Sequence, residues 1–514
     1  MTVSQRSSRS LTVLSLVLFL TFLDTTIVAV GLASVQSVLH AGVAQLQWVV
    51  GGYALVFAAL MLVFGKLGDR FGRRRVLASG MVVFVAGSMV SALAVDPTML
   101  IIGRGVMGLG AAASEPGTLS MIRQLYPDDS QRARVLGIWA AIAGLAIAIG
   151  PVLGGLLVGM GGFRAMFWFN VGAGILVTFF AVSALPESLD LAPSGLDIGG
   201  AVYGALSLSL IVIAIIEGES RGYASPIIIA LFVIGIVSAV LFVRAELKAA
   251  DPLINLRYLR IPQFVISLAT AFAVYFSVIA IFFFTALYLQ LVEGYSGYRI
   301  ALIFMPMTAG MVVASLFAGR WVASRGPRVP MSLGALAAGL GVIVADSALG
   351  GNVNVPLLAS SLTLAGLGFG VTVVPVTSVA LKVIPAKHSG MAAATTNTAR
   401  ALGVIVSVSV LGSLLNGQLT NGLGKKLALL GVPANFRDVV ISAVETGSMP
   451  TGSSGGMAQI EKAYGPLVLK VVSAAYDAFH AGLTIALVVA GVLMLASAVV
   501  TTFGFRHEGS ADES

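Results

Sequence analysis

The sequence predicts an all-α integral membrane protein, with two six-helix bundles and two extra transmembrane helices between them. Its 514 residues are 58% hydrophobic and only 10% charged, whereas a soluble protein carries about 25% charged residues. The apolar residues form long runs, and fourteen of these approach the roughly 20 residues that cross a bilayer. The charged residues fall mostly in the short loops between the runs. These observations place most of the chain in lipid.

Each predicted span corresponds to one apolar run. The first run follows Arg6 and Arg9. This first run is too long for a signal-peptide core and contains an acid, so it is predicted to be a membrane span. The fourteen predicted spans cover 11–33, 46–65, 76–95, 98–122, 132–159, 165–185, 197–217, 225–244, 264–290, 299–319, 329–349, 355–381, 389–416 and 480–503.

The basic residues predict the orientation. Twenty of the 30 Lys and Arg residues fall in segments on one side of the membrane, while the short loops of the other side hold only Arg164, Arg221 and Arg299. Basic loops stay in the cytoplasm, so both termini are predicted to be cytoplasmic, in a multi-pass protein of the inner or plasma membrane. The same distribution explains the net charge of +8 without a nucleic-acid partner.

The predicted segments are a first bundle at 1–187, two linker helices at 188–250 and five helices of a second bundle at 251–416. A long extracellular loop at 417–478 and a last helix with a cytoplasmic tail at 479–514 complete the chain. The loop contains a Gly- and Ser-rich stretch, and both a partly ordered lid and an unstructured loop remain open.

Several chemistries are excluded or unsupported. The chain has no cysteine, so disulfides and thiolate metal sites are excluded, and its four histidines lack metal-ligand spacing. No nucleotide-binding loop and no nucleophile–base pair indicates an enzyme or an ATP-driven pump. We therefore expect no enzymatic activity, no metal and no cofactor.

A basic loop follows the second span, with the sequence Gly-Lys-Leu-Gly-Asp-Arg-Phe-Gly-Arg-Arg-Arg over 65–75. Glycines permit a tight turn, and an acid among arginines can form charge-assisted hydrogen bonds. We predict that these residues control conformational change: Gly65, Asp69, Arg70, Gly72, Arg73 and Arg74. A weaker echo at 319–328 has Ala323 in place of the acid. The spacing resembles the loop between helices 2 and 3 of major facilitator superfamily transporters, which implies the major facilitator fold of two related bundles.

The first span contains Leu-Asp-Thr-Thr-Ile-Val at 23–28, which resembles the L-D-x-T-I-V motif of the 14-helix QacA/EmrB-type drug–proton antiporters. The match weakens at Ala29 and Ala33. Asp24 and Glu115 are the only acids well inside a span, and an ionisable group there is a functional-site hypothesis by default. Asp24 is the predicted proton carrier, with a structural acid bonded to neighbouring hydroxyls as the alternative.

The fourth span contains Arg104 in a segment that resembles the family's R-x-x-Q-G-x-G-A-A, with Met107 in place of Gln. Helical rise places Arg104 and Asp24 at comparable depth, so they could pair or compete for a proton, and Arg104 would tune proton binding by Asp24. A static ion pair is the alternative. Glu115 lies eleven residues further, on nearly the same face. It is a second proton site, a counter-charge for a cationic substrate or a structural acid.

The fifth span carries a glycine motif that resembles G-x(5)-G-P-x-x-G-G of the superfamily's exporters. A hinge and a tight seal between the bundles need such small residues, although a packing face unrelated to direction remains open. The motif residues are Gly144, Gly150, Pro151, Gly154 and Gly155.

Besides Glu115, the candidate substrate contacts are aromatic or polar residues of three spans. Aromatic faces can bind flat cations, and contact with lipid is the alternative role. The candidates are Tyr53, Phe57, Phe283, Tyr288, Gln290 and Asn397. Asn397 and Arg400 fit the family's N-T-x-R-x-L-G pattern. For Arg400 a gating role, packing or a salt bridge, and a direct substrate role remain open. Residues 163–170 resemble W-R-x-x-F-x-x-N, with Phe163 in place of Trp.

The resemblance implies a proton-coupled antiporter that exports amphipathic, cationic drugs or other small molecules, driven by the proton-motive force. Its expected partners are a small-molecule substrate, protons and membrane lipids, and it is expected to be a monomer. A dedicated exporter of one endogenous lipid, siderophore or natural product is the alternative. A non-transporting membrane sensor is a third possibility.

Overall fold

The computed structural model describes residues 3–187, 197–249, 252–350, 353–385, 389–432, 437, 440–441 and 466–505. Within these ranges the chain is helical, and the predicted all-α membrane architecture is confirmed. The helices of the first half are α1 Val3–Leu39, α2 Val43–Phe71, α3 Arg73–Ala92, α4 Pro97–Leu125 and α5 Asp129–Ala184. Two further helices follow, α6 Ile198–Arg221 and α7 Pro226–Lys248. The second half contains α8 Pro262–Leu291, α9 Gly297–Arg325, α10 Arg328–Ser347, α11 Val355–Lys382, α12 Ser389–Val406 and α13 Pro466–Gly504.

The helix α5 contains a break that the sequence predicts as a loop between two spans. Its 56 residues have non-helical backbone angles at Gly161 and at Gly162, whose φ is 67°. An unbroken helix of this length would be far longer than a bilayer is thick. Twelve helices among the described residues are long and apolar enough to cross a membrane. The total of fourteen spans stays a prediction.

Glycines let neighbouring helices pack with their backbones in contact in both halves. A Cβ at Gly87 of α3 would overlap Met107 N and Gly103 O of α4, and one at Gly341 of α10 would overlap backbone atoms of α11. The corresponding helix pairs therefore pack in the same way. The turns repeat too: Gly72 between α2 and α3 has a φ of 105°, and Gly326 between α9 and α10 has a φ of 70°.

The loop between α2 and α3 lies at what we call the basic end of the bundles, because it carries three consecutive arginines. Asp69 accepts a hydrogen bond from Arg73 Nε at 2.8 Å. Arg74 instead donates its backbone N–H to Glu187 Oε1 at 3.2 Å, and its side chain to the Leu185 carbonyl oxygen at 3.3 Å. The loop thus attaches the start of α3 to the end of α5.

A seam joins the two halves at the opposite end. A Cβ at Gly155 of α5 would overlap Gly297 O of α9, and one at Gly159 would meet the ring of Tyr298. Gly412, on the continuation of α12, lies against Gln47 of α2 in the same close manner. Both contacts join the first half to the second, so the opposite end is closed in this conformation.

The helices α6 and α7 pack together beside this seam. Trp48 Nε1 of α2 donates a hydrogen bond to Glu217 of α6 at 3.2 Å. Ser413 of the second half donates its hydroxyl to the Ile215 carbonyl oxygen of α6, also at 3.2 Å. The helix α6 therefore contacts both halves, while much of the apolar surface of α7 is exposed, as expected for a lipid-facing helix.

The helix α12 continues beyond the predicted membrane boundary. It passes through π-helical turns at Ser407–Leu411 and Gln418–Gly422 and ends at Leu429. Leu423 and Leu427 are fully buried, which explains why the helix persists there. Because α13 starts at Pro466, both ends of the predicted loop at 417–478 are helical. Its Gly- and Ser-rich stretch lies outside the described residues, and the division into segments stays a prediction.

Candidate functional site

A small cavity lies at mid-depth between the two halves. Its volume of about 30 Å³ suits one or two water molecules. Side chains of α1, α2 and α4 line it from the first half, and side chains of α8 and α12 from the second. The lining residues are Thr21, Phe22, Thr25, Tyr53, Ala54, Phe57, Glu115, Tyr275, Asn397, Arg400, Ala401 and Val404.

A buried ion pair lies behind the first-half wall of this cavity. Arg104 Nη1 donates to Asp24 Oδ2 at 2.5 Å, and both residues have no exposed surface. Arg104 Nε also donates to the Val49 carbonyl oxygen at 2.8 Å, and the guanidinium lies 4.4 Å from the centre of the Tyr53 ring. The pairing expected from helix depth is therefore present, and the arginine is held from α1 and α2 together.

The second oxygen of Asp24 is bonded by a residue that the sequence did not single out as a site. Asn170, on the second segment of α5, donates from Nδ2 to Asp24 Oδ1 at 2.6 Å. It is fully buried. The available signal was an asparagine in an otherwise apolar span, at the last position of the match with W-R-x-x-F-x-x-N. Each oxygen of the Asp24 carboxyl thus has one donor.

A second polar group crosses between the halves at the cavity. Asn397 Nδ2 of α12 donates to Glu115 Oε1 of α4 at 2.6 Å. Arg400 Nη1 donates to Asn397 Oδ1 at 2.9 Å, and Arg400 Nη2 donates to Thr377 Oγ1 of α11 at 2.5 Å. Glu115 is 1% exposed. This acid therefore shares the cavity with the aromatic residues and bonds to the opposite half.

Tyr53 lies between the two polar groups. Its ring contacts Arg104, stacks on Phe57 with a centroid distance of 6.1 Å, and lines the cavity. Its hydroxyl donates to the Thr21 carbonyl oxygen at 3.2 Å. One aromatic side chain thus separates the ion pair from the cavity that Glu115 faces.

Three predicted substrate contacts lie outside the cavity lining. Phe283 packs on Phe284 at a centroid distance of 4.6 Å, within a π-helical turn over Ala280–Phe284. Tyr288 donates its hydroxyl to the Leu349 carbonyl oxygen at 2.9 Å. The side-chain oxygen of Gln290 is buried without a hydrogen-bond partner. Substrate roles for Phe283, Tyr288 and Gln290 stay predictions that the cavity does not support.

The predicted glycine motif divides its contacts between two neighbours. A Cβ at Gly150 would overlap Thr26, and one at Gly154 would overlap Ile27 O, both on α1. Gly155 and Gly144 face the second half, where a Cβ at Gly144 would lie 3.6 Å from Ser315 Oγ. Pro151 lies inside the helix between these positions. The motif therefore packs α5 on α1 on one side and closes the seam on the other.

The remaining predicted gating residues lie at the basic end. Gly65 of α2 lies against Pro116 of α4, where a Cβ would stand at 3.6 Å. The Arg70 guanidinium lies 5.7 Å from the Phe71 ring. Among the described residues, no three His, Asp or Glu side chains come together as a metal site.

The model of the Major Facilitator Superfamily matches residues 14–408. The chain is 32% identical to the multidrug resistance protein Stp of Mycobacterium tuberculosis, over 95% of this chain and 90% of that protein. It is 31% identical to the methylenomycin A resistance protein of Bacillus subtilis, over 83% of this chain and 91% of that protein.

A solved structure shows the same fold. It is a bacterial homologue of the human lysosomal transporter Spinster, in an inward-facing and unoccupied conformation. The TM-score is 0.60 at 17% identity, with 96% of this chain and 97% of that chain covered. The same overall fold is thus found in a protein of distant sequence.

Proposed function

The chain belongs to the Major Facilitator Superfamily, and on that premise we propose that it is a proton-coupled antiporter that exports amphipathic, cationic drugs or other small molecules. It is a multi-pass membrane transporter for small molecules rather than an enzyme, and its relatives include a multidrug resistance protein. The observation that carries the proposal is the fully buried Asp24–Arg104 pair directly behind a cavity that contains a second buried acid.

Asp24 is the proposed proton site. Charges in a membrane interior persist only when they are paired or hydrogen-bonded. Arg104 and Asn170 supply those bonds to the ionised form of Asp24. A proton arriving at the carboxyl group would remove its charge and release Arg104 from the pair. Because Arg104 also bonds Val49 of α2 and contacts Tyr53, the change is transmitted to the helix that lines the cavity.

Glu115 is the proposed counter-charge for the substrate. It faces the cavity beside four aromatic side chains, Phe22, Tyr53, Phe57 and Tyr275, an arrangement suited to a flat cation. In this conformation the acid bonds to Asn397 of the other half. A cation that takes the place of that amide would separate the halves at mid-depth. The cavity of about 30 Å³ must expand to hold a drug, so binding requires such a separation.

The proposed orientation places the basic end in the cytoplasm, as the distribution of Lys and Arg predicts. The seam formed by Gly155, Gly159 and Gly412 is then on the extracellular side. A closed extracellular side is one requirement of the state that receives a substrate from the cytoplasm in an alternating-access cycle.

The experiment compares wild type, Asp24→Asn and the control Asp346→Asn in membrane vesicles with an imposed pH gradient. Asp346 is an acid of α10 that accepts a hydrogen bond from Thr484, away from the cavity. We expect gradient-driven transport of a cationic dye to be lost in Asp24→Asn and retained in Asp346→Asn. Full transport by Asp24→Asn would remove Asp24 from the proton path. An uncoupler that leaves wild-type transport unchanged would refute proton coupling altogether.

A dedicated exporter of one natural product is the second candidate, favoured by the likeness to the methylenomycin A resistance protein. A growth-inhibition panel of cationic dyes, biocides and natural-product antibiotics distinguishes the two. Protection against many unrelated cations supports multidrug export, whereas protection against a single compound supports the dedicated exporter.

A further inference from the structure

Asn170 is the only amide side chain described in contact with Asp24, and the oxygen of that amide has no hydrogen-bond partner. Its Nδ2 donates to Asp24 Oδ1 at 2.6 Å. Its own oxygen, Oδ1, is buried and has no hydrogen-bond partner. The residue has no exposed surface. A buried acceptor without a partner is costly, and here it belongs to the same side chain that holds the proposed proton site.

The chemistry of Asp24 changes when it binds a proton. The ionised carboxyl group only accepts hydrogen bonds, whereas the neutral group also has one O–H to donate. Arg104 has donors and no acceptor, so it cannot accept a hydrogen bond from the O–H of the neutral form. The Tyr53 hydroxyl is bonded to the Thr21 carbonyl oxygen. The neutral carboxyl group therefore needs an acceptor that neither residue provides.

Asn170 can supply that acceptor. A half-turn of its amide about the last side-chain bond exchanges the positions of nitrogen and oxygen, which have nearly the same size. The amide then accepts from the carboxyl O–H instead of donating to the carboxylate. No atom needs to enter or leave the buried site.

Other charged or titratable groups lie further from the carboxyl group. Tyr53 of α2 lies beside the ion pair, and Glu115 of α4 faces the cavity beyond it. Tyr275 of α8 and Arg400 of α12 line the cavity from the second half. Among the described residues, only Arg104 and Asn170 hydrogen-bond to Asp24.

We propose that Asn170 is a positioning residue that keeps Asp24 hydrogen-bonded in both protonation states by reversing its amide. The inference rests on the proposed role of Asp24 as proton carrier. A charge-assisted bond is stronger than a neutral one, so Asn170 favours the ionised form overall. The amide thereby sets the pH at which Asp24 exchanges its proton, while the neutral form avoids a buried unpaired hydroxyl.

The test uses Asn170→Leu, which has a similar size and no hydrogen bonds, in the full-length protein purified in detergent. The control is Thr178→Val on the same helix, because Thr178 bonds only the Gly174 carbonyl oxygen. Thermal unfolding is measured from acid to alkaline pH in each variant, with and without Asp24→Asn. The change of the unfolding temperature with pH that is absent in the Asp24→Asn background is assigned to the titration of Asp24.

In Asn170→Leu we expect the midpoint of that part to move upward by about one pH unit, a tenfold change in proton affinity. Thr178→Val should leave the midpoint in place. In infrared difference spectra between low and high pH, the carboxylic C=O band that Asp24→Asn removes should move to higher frequency in Asn170→Leu. An unchanged midpoint, or an unchanged band, overturns the proposal.

If Asn170→Leu does not fold, Asn170→Ser, which keeps a small donor and acceptor, is measured in the same way and should give an intermediate shift. Neither readout depends on transport. If the midpoint shifts as expected in Asn170→Leu while wild-type transport does not depend on the pH gradient, that result would refute the proposed antiport and leave the Asn170–Asp24 coupling in place.

Discussion

The substitution Arg104→Met removes one partner of the most deeply buried ion pair described in the protein. Methionine keeps an unbranched apolar stem but is shorter than arginine, and it donates no hydrogen bond. Asp24 would retain Asn170 as its donor and lose the guanidinium at 2.5 Å. We expect a large loss of stability, because a carboxylate with no exposed surface then lacks a counter-charge.

The magnitude follows from the geometry of the pair. Unit charges roughly 4 Å apart at an effective dielectric constant near 20 attract each other by about 4 kcal/mol. Removing one partner of a buried pair typically costs about 3–5 kcal/mol. The double variant Arg104→Met with Asp24→Asn leaves no unpaired charge and should regain about 2 kcal/mol or more, because neutral replacement of a buried pair is often tolerated.

The assay is unfolding in denaturant–detergent mixtures, followed by the fluorescence of the four tryptophans. One of them, Trp139, is fully buried and bonds Thr118 of α4, so it reports on packing beside the site. Unfolding of Arg104→Met like that of wild type, or a double variant no more stable than the single one, would show that the ion pair does not stabilise the protein in this way.

Two further predictions concern the cavity and the seam. Glu115→Leu leaves the Asn397 amide without its acceptor and should cost about 1–3 kcal/mol of stability, while Glu115→Gln keeps an acceptor and should cost less. In transport assays Glu115→Gln should impair cationic substrates more than neutral ones, and equal impairment would contradict the counter-charge role. Gly155→Leu would overlap Gly297 O and Ala301, so efflux should fall by tenfold or more as the seam loses about 1–3 kcal/mol of packing. Because the chain has no cysteine, the seam can be checked by cross-linking a variant that carries Gly159→Cys and Tyr298→Cys. The cross-linking yield should fall when Gly155→Leu is added, and an unchanged yield would contradict the close packing at the seam.

The sequence predicts the Asp24–Arg104 contact well because helix geometry is regular. A fixed rise per residue places two side chains on different spans at the same depth, and a lone buried charge needs a partner. The same periodicity places Glu115 on the face that Arg104 occupies, and the cavity contains it. Regular helices thus make depth and facing predictable from residue numbers alone.

The sequence predicts α8 less well, because the π-helical turn Ala280–Phe284 interrupts the regular period. A wider turn rotates every later residue relative to the earlier ones, and neither Phe283 nor Tyr288 lines the cavity. Asn170 was missed for a different reason. Its importance lies in a contact with a residue far away in the chain, and no local pattern reveals which side chain an amide will meet.

The position of α6 has a consequence for the rate of the transport cycle. The segment that connects the two halves is itself attached to each of them, through Glu217 to Trp48 and through Ile215 to Ser413. Separation of the two halves at the seam must therefore break at least one of these two hydrogen bonds. The turnover rate then depends in part on residues of α6 and its partners that do not contact the substrate. Substitutions there can change the transport rate while the cavity residues determine which substrate is transported.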